Sequence, residues 1–289
     1  MLPRETPAFD AAHYKETTRQ QWDSAAQAWD RWGPFLRQWL GEATELMLDL
    51  AGIRSGSRVL DVAAGAGDQT LQAAQRVGSA GRVLATDISP RILELASANA
   101  RRAGFGQVET SVQDAESLDV GEATFDTVIC RLGLIYFPDR QRALRAMWRA
   151  LKPGGRIAMI VYTTPERNAF FSIPVGVIRA HAALPPPLPG QPGPFSLGGA
   201  GVLEAELRQA GFTDITSRQL AAPVRLPSAA DCVRFEYESF GALHQMMSTL
   251  ADDDKAAAWQ EIETRLAQFE RDGRFEGPCE FVIAAATRR

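Results

Sequence analysis

The sequence predicts an α/β protein: a doubly wound, mostly parallel sheet with helices on both faces, an amino-terminal helical cap and lid insertions. Three observations carry that expectation. Between residues 57 and 162, short apolar runs alternate with segments of helical period, the pattern of a parallel sheet covered on both sides. A glycine-rich bend, Ala64-Gly65-Ala66-Gly67, directly follows the first of those runs. Carboxylates, Asp87 and Asp114, close the next two, at the edge where open α/β sheets take their ligands.

Taken in order, His13 to Leu50 reads as helix with a break near Gly33-Pro34. Trp22, Ala25, Ala26 and Trp29 recur at helical spacing, as do Phe35, Leu36, Trp39 and Leu40. Such a stripe packs a helix onto a core. Arg58 to Ala63 is a first strand, followed by the glycine bend and a helix through Arg76. Gly81 to Asp87 is a second strand; Ser89 then suits an N-cap and Pro90 the first position of a helix to Ala103. Val108 to Asp114 and Phe125 to Arg131 make the third and fourth strands, the latter apolar enough for burial on both faces. A helix from Arg140 to Leu151, a turn Lys152 to Gly155 and a fifth strand Arg156 to Tyr162 complete this block.

Thr163 to Gly201 is rich in proline, including Pro185, Pro186, Pro187, Pro189, Pro192 and Pro194. A stretch of that length reads as a lid or binding loop. Val202 to Ala210 is helical and stops at Gly211; Thr213 to Leu220 is a sixth strand. Two helices, Ala229 to Leu250 and Asp252 to Arg271, precede a last strand, Glu280 to Thr287. The aspartates at 252–254 suit the positive end of a helix. The expected organisation is a helical cap (1–52), a cofactor-binding α/β core (53–162), and an acceptor-site loop with the remaining strands and a helical lid (163–289).

Composition narrows the function. The 289 residues carry a net charge of −4, so no basic field awaits nucleic acid. Cys130, Cys232 and Cys279 are scattered, which argues against disulfides or structural zinc, and no histidine pair or carboxylate cluster has metal-ligand spacing. Met1 to Asp10 lacks the apolar run of a signal peptide, and no stretch nears the ~20 apolar residues of a membrane span. A cytoplasmic protein, monomer or homodimer, is expected.

The chemistry starts at the glycine bend. Glycine removes the Cβ that would hold a cofactor away and tolerates positive φ. Gly-x-Gly after a strand also opens dinucleotide sites, but the third glycine of that fingerprint is replaced by Thr70. Asp68, at the helix start, would repel a pyrophosphate; S-adenosylmethionine carries none and bears a cationic amino group. Asp87 can accept hydrogen bonds from ribose hydroxyls, which serves NAD equally well. Asp114, with Ala115, can take the adenine amino group or simply cap a turn.

The stretches VLDVAAGAGDQT, RVLATDISPRILELA, VQDAESL, FDTVICRLGLIYFPD and ALRAMWRALKPGGRIAMIVY resemble the class I S-adenosylmethionine-dependent methyltransferases. The similarity is greatest to their ubiquinone/menaquinone-biosynthesis-like small-molecule branch. The resemblance spans residues 57 to 162 and implies a seven-stranded sheet whose last strand is antiparallel. It assigns Asp61, Ala63, Gly65 and Gly67 to the methionine side of the cofactor and Asp87 to the ribose. Ile88 falls against adenine, Asp114 and Ala115 at its edge, and Arg131 beside the cofactor. Trp22 or Trp29 would cover it, or pack the core instead. Ala63-Ala64 stands where many relatives have cysteine or a glycine pair.

The implied reaction moves a methyl group to a small, partly apolar acceptor by in-line displacement, at oxygen, carbon or nitrogen. A hydroxyl acceptor would call for a base, with His181 and His244 as candidates, unless they are ordinary surface histidines. Tyr136, Tyr162 and Asn168 follow strand ends and could line the acceptor site. Two other readings stay open: an NAD(P)-dependent oxidoreductase, and a protein of this fold that binds S-adenosylmethionine without transferring its methyl group.

Overall fold

A computed structural model describes residues 9–188 and 190–289. Most of the stretch read against a signal peptide, and Pro189, lie outside the described residues. The chain opens with two helices, α1 (Ala11–Arg31) and α2 (Gly33–Ala51), separated where Gly33-Pro34 predicted the break. The alternating core follows as β1 (Arg58–Val62), α3 (Asp68–Val77), β2 (Arg82–Asp87), α4 (Pro90–Arg102), β3 (Val108–Val112), β4 (Phe125–Arg131), α5 (Arg140–Ala150) and β5 (Leu151–Tyr162). Beyond it come α6 (Ala169–His181), α7 (Val202–Gln209), β6 (Thr213–Ala221), β7 (Val224–Leu226), α8 (Ala229–Ser239), α9 (Gly241–Met246) and α10 (Asp252–Leu266). The last elements are β8 (Glu270–Arg271), β9 (Arg274–Gly277) and β10 (Glu280–Thr287).

Seven strands form one sheet in the order β3-β2-β1-β4-β5-β10-β6. The pairs among β1 to β5 are parallel; β10 runs antiparallel to both β5 and β6. This is the doubly wound, mostly parallel architecture the sequence predicts. The order reverses at β1, between β2 and β4, so the carboxyl ends of these strands leave a crevice for a ligand. Local chemistry explains the boundaries. Ser89 accepts the Ile92 amide with its side chain and Pro90 opens α4; Gly211, at φ 97°, follows α7 where the left-handed conformation ends a helix.

Four expectations are corrected. The proline-rich stretch 163–201 is not all loop, because α6 occupies its first half. Phe170, Phe171, Pro174, Val177 and Ile178 are its buried face, a helical spacing masked by a proline that forfeits one backbone hydrogen bond. Burying such side chains contributes about 1.5–3 kcal/mol each, enough to offset that loss. The single helix expected from Ala229 to Leu250 breaks at Phe240 into α8 and α9. The helix expected to reach Arg271 stops at Leu266, and β8 with β7 and β9 forms a small antiparallel sheet that the sequence did not suggest. Finally, β5 starts at Leu151, so Lys152 to Gly155 lies inside a strand, at an irregularity in its pairing with β4.

Candidate functional site

A cavity of about 600 Å³ lies at the carboxyl ends of β1, β2 and β4, under α1, α2 and the α8–α9 junction. Its size falls within the range of small-molecule sites, roughly 300–1,000 Å³. Its floor is made where strands stop. After β1 the chain turns through Ala63 (φ 58°), Gly65 (φ 57°) and Gly67 (φ 91°) into α3. Ala63 and Gly65 line the cavity. A Cβ on Gly65 would meet only Ile92 Cδ1, at 3.9 Å, so glycine is needed there for its φ and for ligand approach rather than for packing.

Gly67 corrects the expectation. It is absent from the lining, and a Cβ there would press on Ala96 Cα at 3.1 Å. Its task is to let α3 approach α4. Asp61 also stands behind the wall rather than in it. Fully buried, it accepts hydrogen bonds from Thr70 Oγ1 (2.6 Å) and Gln69 Nε2 (3.2 Å). Those contacts tie β1 to the first turn of α3, and burial raises the Asp61 pKa to about 7. Thr70, which breaks the dinucleotide fingerprint, is thus the residue that anchors the bend.

Asp87, at the end of β2, lines the cavity and is 8% exposed. Its carboxylate accepts the Gly65 amide at 3.0 Å and the Ser89 amide at 3.0 Å. Burial pushes its pKa up to about 6, with the nearby Asp23 carboxylate adding to the rise. Ile88, Asp114 and Ala115 continue the same wall. Asp114 caps the turn after β3 by accepting the Glu116 amide, and its other oxygen pairs with Lys15 at 2.7 Å. Asp114 is thus a turn cap that also stands in the cavity wall.

Arg131 closes the β4 end. It is 7% exposed, donates to Asp68 Oδ2 at 2.7 Å and to Thr44 Oγ1 at 2.9 Å. The Asp68 charge that argued against a pyrophosphate is therefore offset by the Arg131 guanidinium. Its second oxygen, Oδ1, is buried and has no hydrogen-bond partner among the described residues. That buried acceptor, the open bend at Gly65 and the Asp87 carboxylate form a donor and acceptor set that fits S-adenosylmethionine: an ammonium, a thioether-bearing chain and a ribose diol.

The roof is aromatic. Trp22 and Trp29 both line the cavity, 5.5 Å apart between ring centroids, with Trp22 5.8 Å from Tyr136 and Trp29 5.9 Å from Phe240. Such tilted and edge-to-face pairs suit the ring quadrupoles. Tyr136 and Tyr162 are in the wall too, and burial raises the pKa of both phenols.

Three expected site residues lie elsewhere. His181 Nε2 contacts Glu261 Oε2 at 2.7 Å, joining α6 to α10, and His244 Nε2 contacts the Tyr237 carbonyl at 2.6 Å. Neither lines the cavity. Asn168 is fully buried: it donates to Thr163 Oγ1 and the Thr164 carbonyl and accepts the Glu280 amide at 3.0 Å. It fixes the end of β5 to the start of β10. Residues the sequence reading missed are Lys15, which also pairs with Glu116 at 2.7 Å, and Asp23 and Asp30, which accept from Ser89 Oγ (2.5 Å) and Asn99 Nδ2 (2.8 Å). All three sit on α1 and fasten it to loops or helices of the core. A charge on a helix face looks the same in sequence whether it is solvated or paired.

The profile of the ubiE/COQ5 methyltransferase family matches residues 37–174, from α2 into α6. The ubiquinone/menaquinone biosynthesis C-methyltransferase UbiE of Klebsiella pneumoniae is 39% identical over 119 residues, 41% of this chain and 47% of that protein. The chain thus spans about half the length of the curated relatives it matches. Among solved structures, phosphoethanolamine N-methyltransferase 2 of Haemonchus contortus, in complex with S-adenosyl-L-methionine, superposes with a TM-score of 0.54 at 19% identity, covering 86% of this chain and 52% of that one. The cyclase SpnF superposes with a TM-score of 0.55 at 21% identity, covering 92% and 96%. At those identities the likeness is one of fold.

Proposed function

We propose that this chain is an S-adenosylmethionine-dependent methyltransferase acting on a small, partly apolar acceptor. The observation that carries the reading is that Gly65, Asp87, Asp114 and Arg131, the ends of four consecutive strands and their turns, all face one cavity. The matched family and the fold support it. When bound, S-adenosylmethionine supplies a methyl group on a neutral thioether leaving group.

The chain's own residues bind, orient and exclude water. Asp87 accepts the ribose hydroxyls with the lone pairs its two amide contacts leave free, and Gly65 admits the chain bearing sulfur. Asp114 and Ile88 take the adenine, and Asp68 Oδ1 the ammonium. Trp22, Trp29 and Phe240 close the acceptor side against solvent, which suits an apolar ring or chain. Positioning of the acceptor atom in line with the departing sulfur supplies the larger part of the rate. Because burial keeps Tyr136 and Tyr162 protonated, they donate to an acceptor oxygen rather than remove its proton. No histidine lines the cavity among the described residues, so an acceptor that must lose a proton gives it to a lining carboxylate such as Asp30 or Glu116, or ionises on its own.

The test is release of S-adenosylhomocysteine from S-adenosylmethionine over a panel of phenols, enols and amines, with binding measured in parallel. Because a cyclase shares this fold, methyl transfer itself has to be read. Tight cofactor binding with no turnover of any acceptor would favour the cofactor-binding, non-methylating reading.

A further inference from the structure

Behind the aromatic roof lie polar groups that the fold leaves without partners. Glu236 and Ser239 sit three residues apart on the buried face of α8, and both are fully buried. Glu236 Oε2, Ser239 Oγ and Trp29 Nε1 have no hydrogen-bond partner among the described residues. Glu236 Oε1 has a weak donor beside it, the Cys232 thiol, at 3.9 Å. Burying such groups unpaired costs free energy, and an apolar side chain of similar size would avoid the cost. All three lie close to the acceptor end of the cavity. Trp29 lines it, and its ring packs on Phe235 and Phe240, with centroids 6.3 and 5.9 Å away. Phe240 lines it too and follows Glu236 by four residues, so the carboxyl stands one helical turn behind that ring. Glu236 is also near enough to help raise the pKa of the Tyr162 phenol, a third group of the wall.

Burial holds the Glu236 carboxyl well above the usual carboxylate range, so it is an uncharged acid. An uncharged acid, a hydroxyl and an indole N–H are all donors. Three donors with nothing to donate to suit an oxygen atom with free lone pairs. A wholly apolar group would leave all three unsatisfied. We propose that Glu236, Ser239 and Trp29 form a subsite that receives a hydroxyl or carbonyl oxygen of the methyl acceptor, the Phe240 ring turning aside at the α8–α9 break to admit it. Glu236, outside every strand-end motif, is then a determinant of which acceptors enter. This rests on the methyltransferase reading of the cavity.

Phenol and toluene differ by a hydroxyl in place of a methyl group and probe the subsite as a pair. Ligand-observed NMR titration gives both affinities for protein saturated with S-adenosylhomocysteine, in wild type, Glu236→Met, Glu236→Gln and Ser239→Ala. Wild-type protein should prefer phenol. Glu236→Met should lower the phenol-to-toluene affinity ratio at least about fivefold, the worth of one hydrogen bond. Ser239→Ala should lower it about threefold, and Glu236→Gln, which keeps a donor, less than Glu236→Met. Because Glu236→Met removes an unpaired buried group, the melting temperature of ligand-free protein should rise by about 2 °C. Wild-type preference for toluene, or a ratio unchanged by these substitutions, overturns the proposal. A fall in melting temperature with an unchanged ratio assigns the cluster to holding a structural water instead. Ser239→Ala carries the test should Glu236→Met fail to fold. Failure of wild-type protein to bind S-adenosylhomocysteine sinks the adenosyl reading and this one with it, whereas an unchanged ratio with that binding intact sinks this one alone.

Discussion

The floor and the roof of the cavity are built by different physics. On the floor, each ligand-facing group is fixed by directional bonds to the scaffold: Asp87 by the amides of Gly65 and Ser89, Arg131 by Asp68 and Thr44. The roof holds Trp22, Trp29 and Phe240 mainly through ring contacts, which tolerate small shifts at little cost. A rigid polar floor suits a cofactor that never changes; an adaptable apolar roof suits an acceptor whose shape must be selected. On the proposed reading, affinity for the cofactor resides in the floor and selection of the acceptor in the roof, and substitutions in each should separate the two effects.

The largest expected effect is at the bend. Gly65→Val would force a β-branched residue to φ near 57° and push a side chain into the cavity, so S-adenosylhomocysteine binding should become undetectable by calorimetry while circular dichroism stays that of the folded protein. The neighbouring change Gly67→Ala should do the reverse, lowering stability by about 1–3 kcal/mol through crowding of Ala96 with affinity little altered. Affinity loss in the second and not the first would invert the roles given to the two glycines.

Next comes Asp87. Asp87→Asn should weaken S-adenosylhomocysteine about 10- to 100-fold, the worth of hydrogen bonds to a charged acceptor. In the free protein this carboxyl titrates at about 6 because burial disfavours its charge, whereas ribose hydroxyls donate to the charged form. Affinity should therefore be level above pH 7 and fall as pH drops through 6, by up to about tenfold per unit. A profile flat from pH 5 to 8 would refute the ribose assignment. The same raised value sets a sign for stability. Its contribution is complete below the unfolded pKa near 4 and is lost as pH rises through about 6, so the melting temperature of ligand-free protein should fall over that window and Asp87→Asn should flatten the fall.

The roof should respond on the other axis. Tyr136→Phe removes one hydroxyl and keeps the ring, so kcat/KM for an oxygen-bearing acceptor should drop about tenfold with S-adenosylhomocysteine affinity within about twofold. The smallest effect belongs to His181→Gln and His244→Gln, which contact Glu261 and the Tyr237 carbonyl away from the cavity. Turnover within about twofold of wild type is expected; a loss of 100-fold in either would show that the histidine reaches the acceptor after all.

The same division explains what could be read from the sequence. Strands buried on both faces write themselves as apolar runs, and turns at their ends need glycine or a capping carboxylate, so β1 to β5 and the positions of Gly65, Asp87 and Asp114 were legible. Register behind the wall was not. Asp61 and Gly67 carry the same local signal as cavity residues, and only packing against Thr70 and Ala96 reveals their structural roles. In the roof, Pro174 disguised α6, and the break at Phe240 had no local marker beyond Gly241. His181 and His244 have the chemistry of a base, but reach into a cavity is a property of tertiary placement. Lys15 pairs with residues about a hundred positions away, a separation that leaves no trace in spacing.

β6 hydrogen-bonds only to β10, and β10 is also what joins it to β5. Between β6 and β10 in sequence lie α8, α9, α10 and the small antiparallel sheet. Anything that frees β10 therefore frees β6 with it, and the helices α8 to α10 strung between the two strands lose their anchors at both ends.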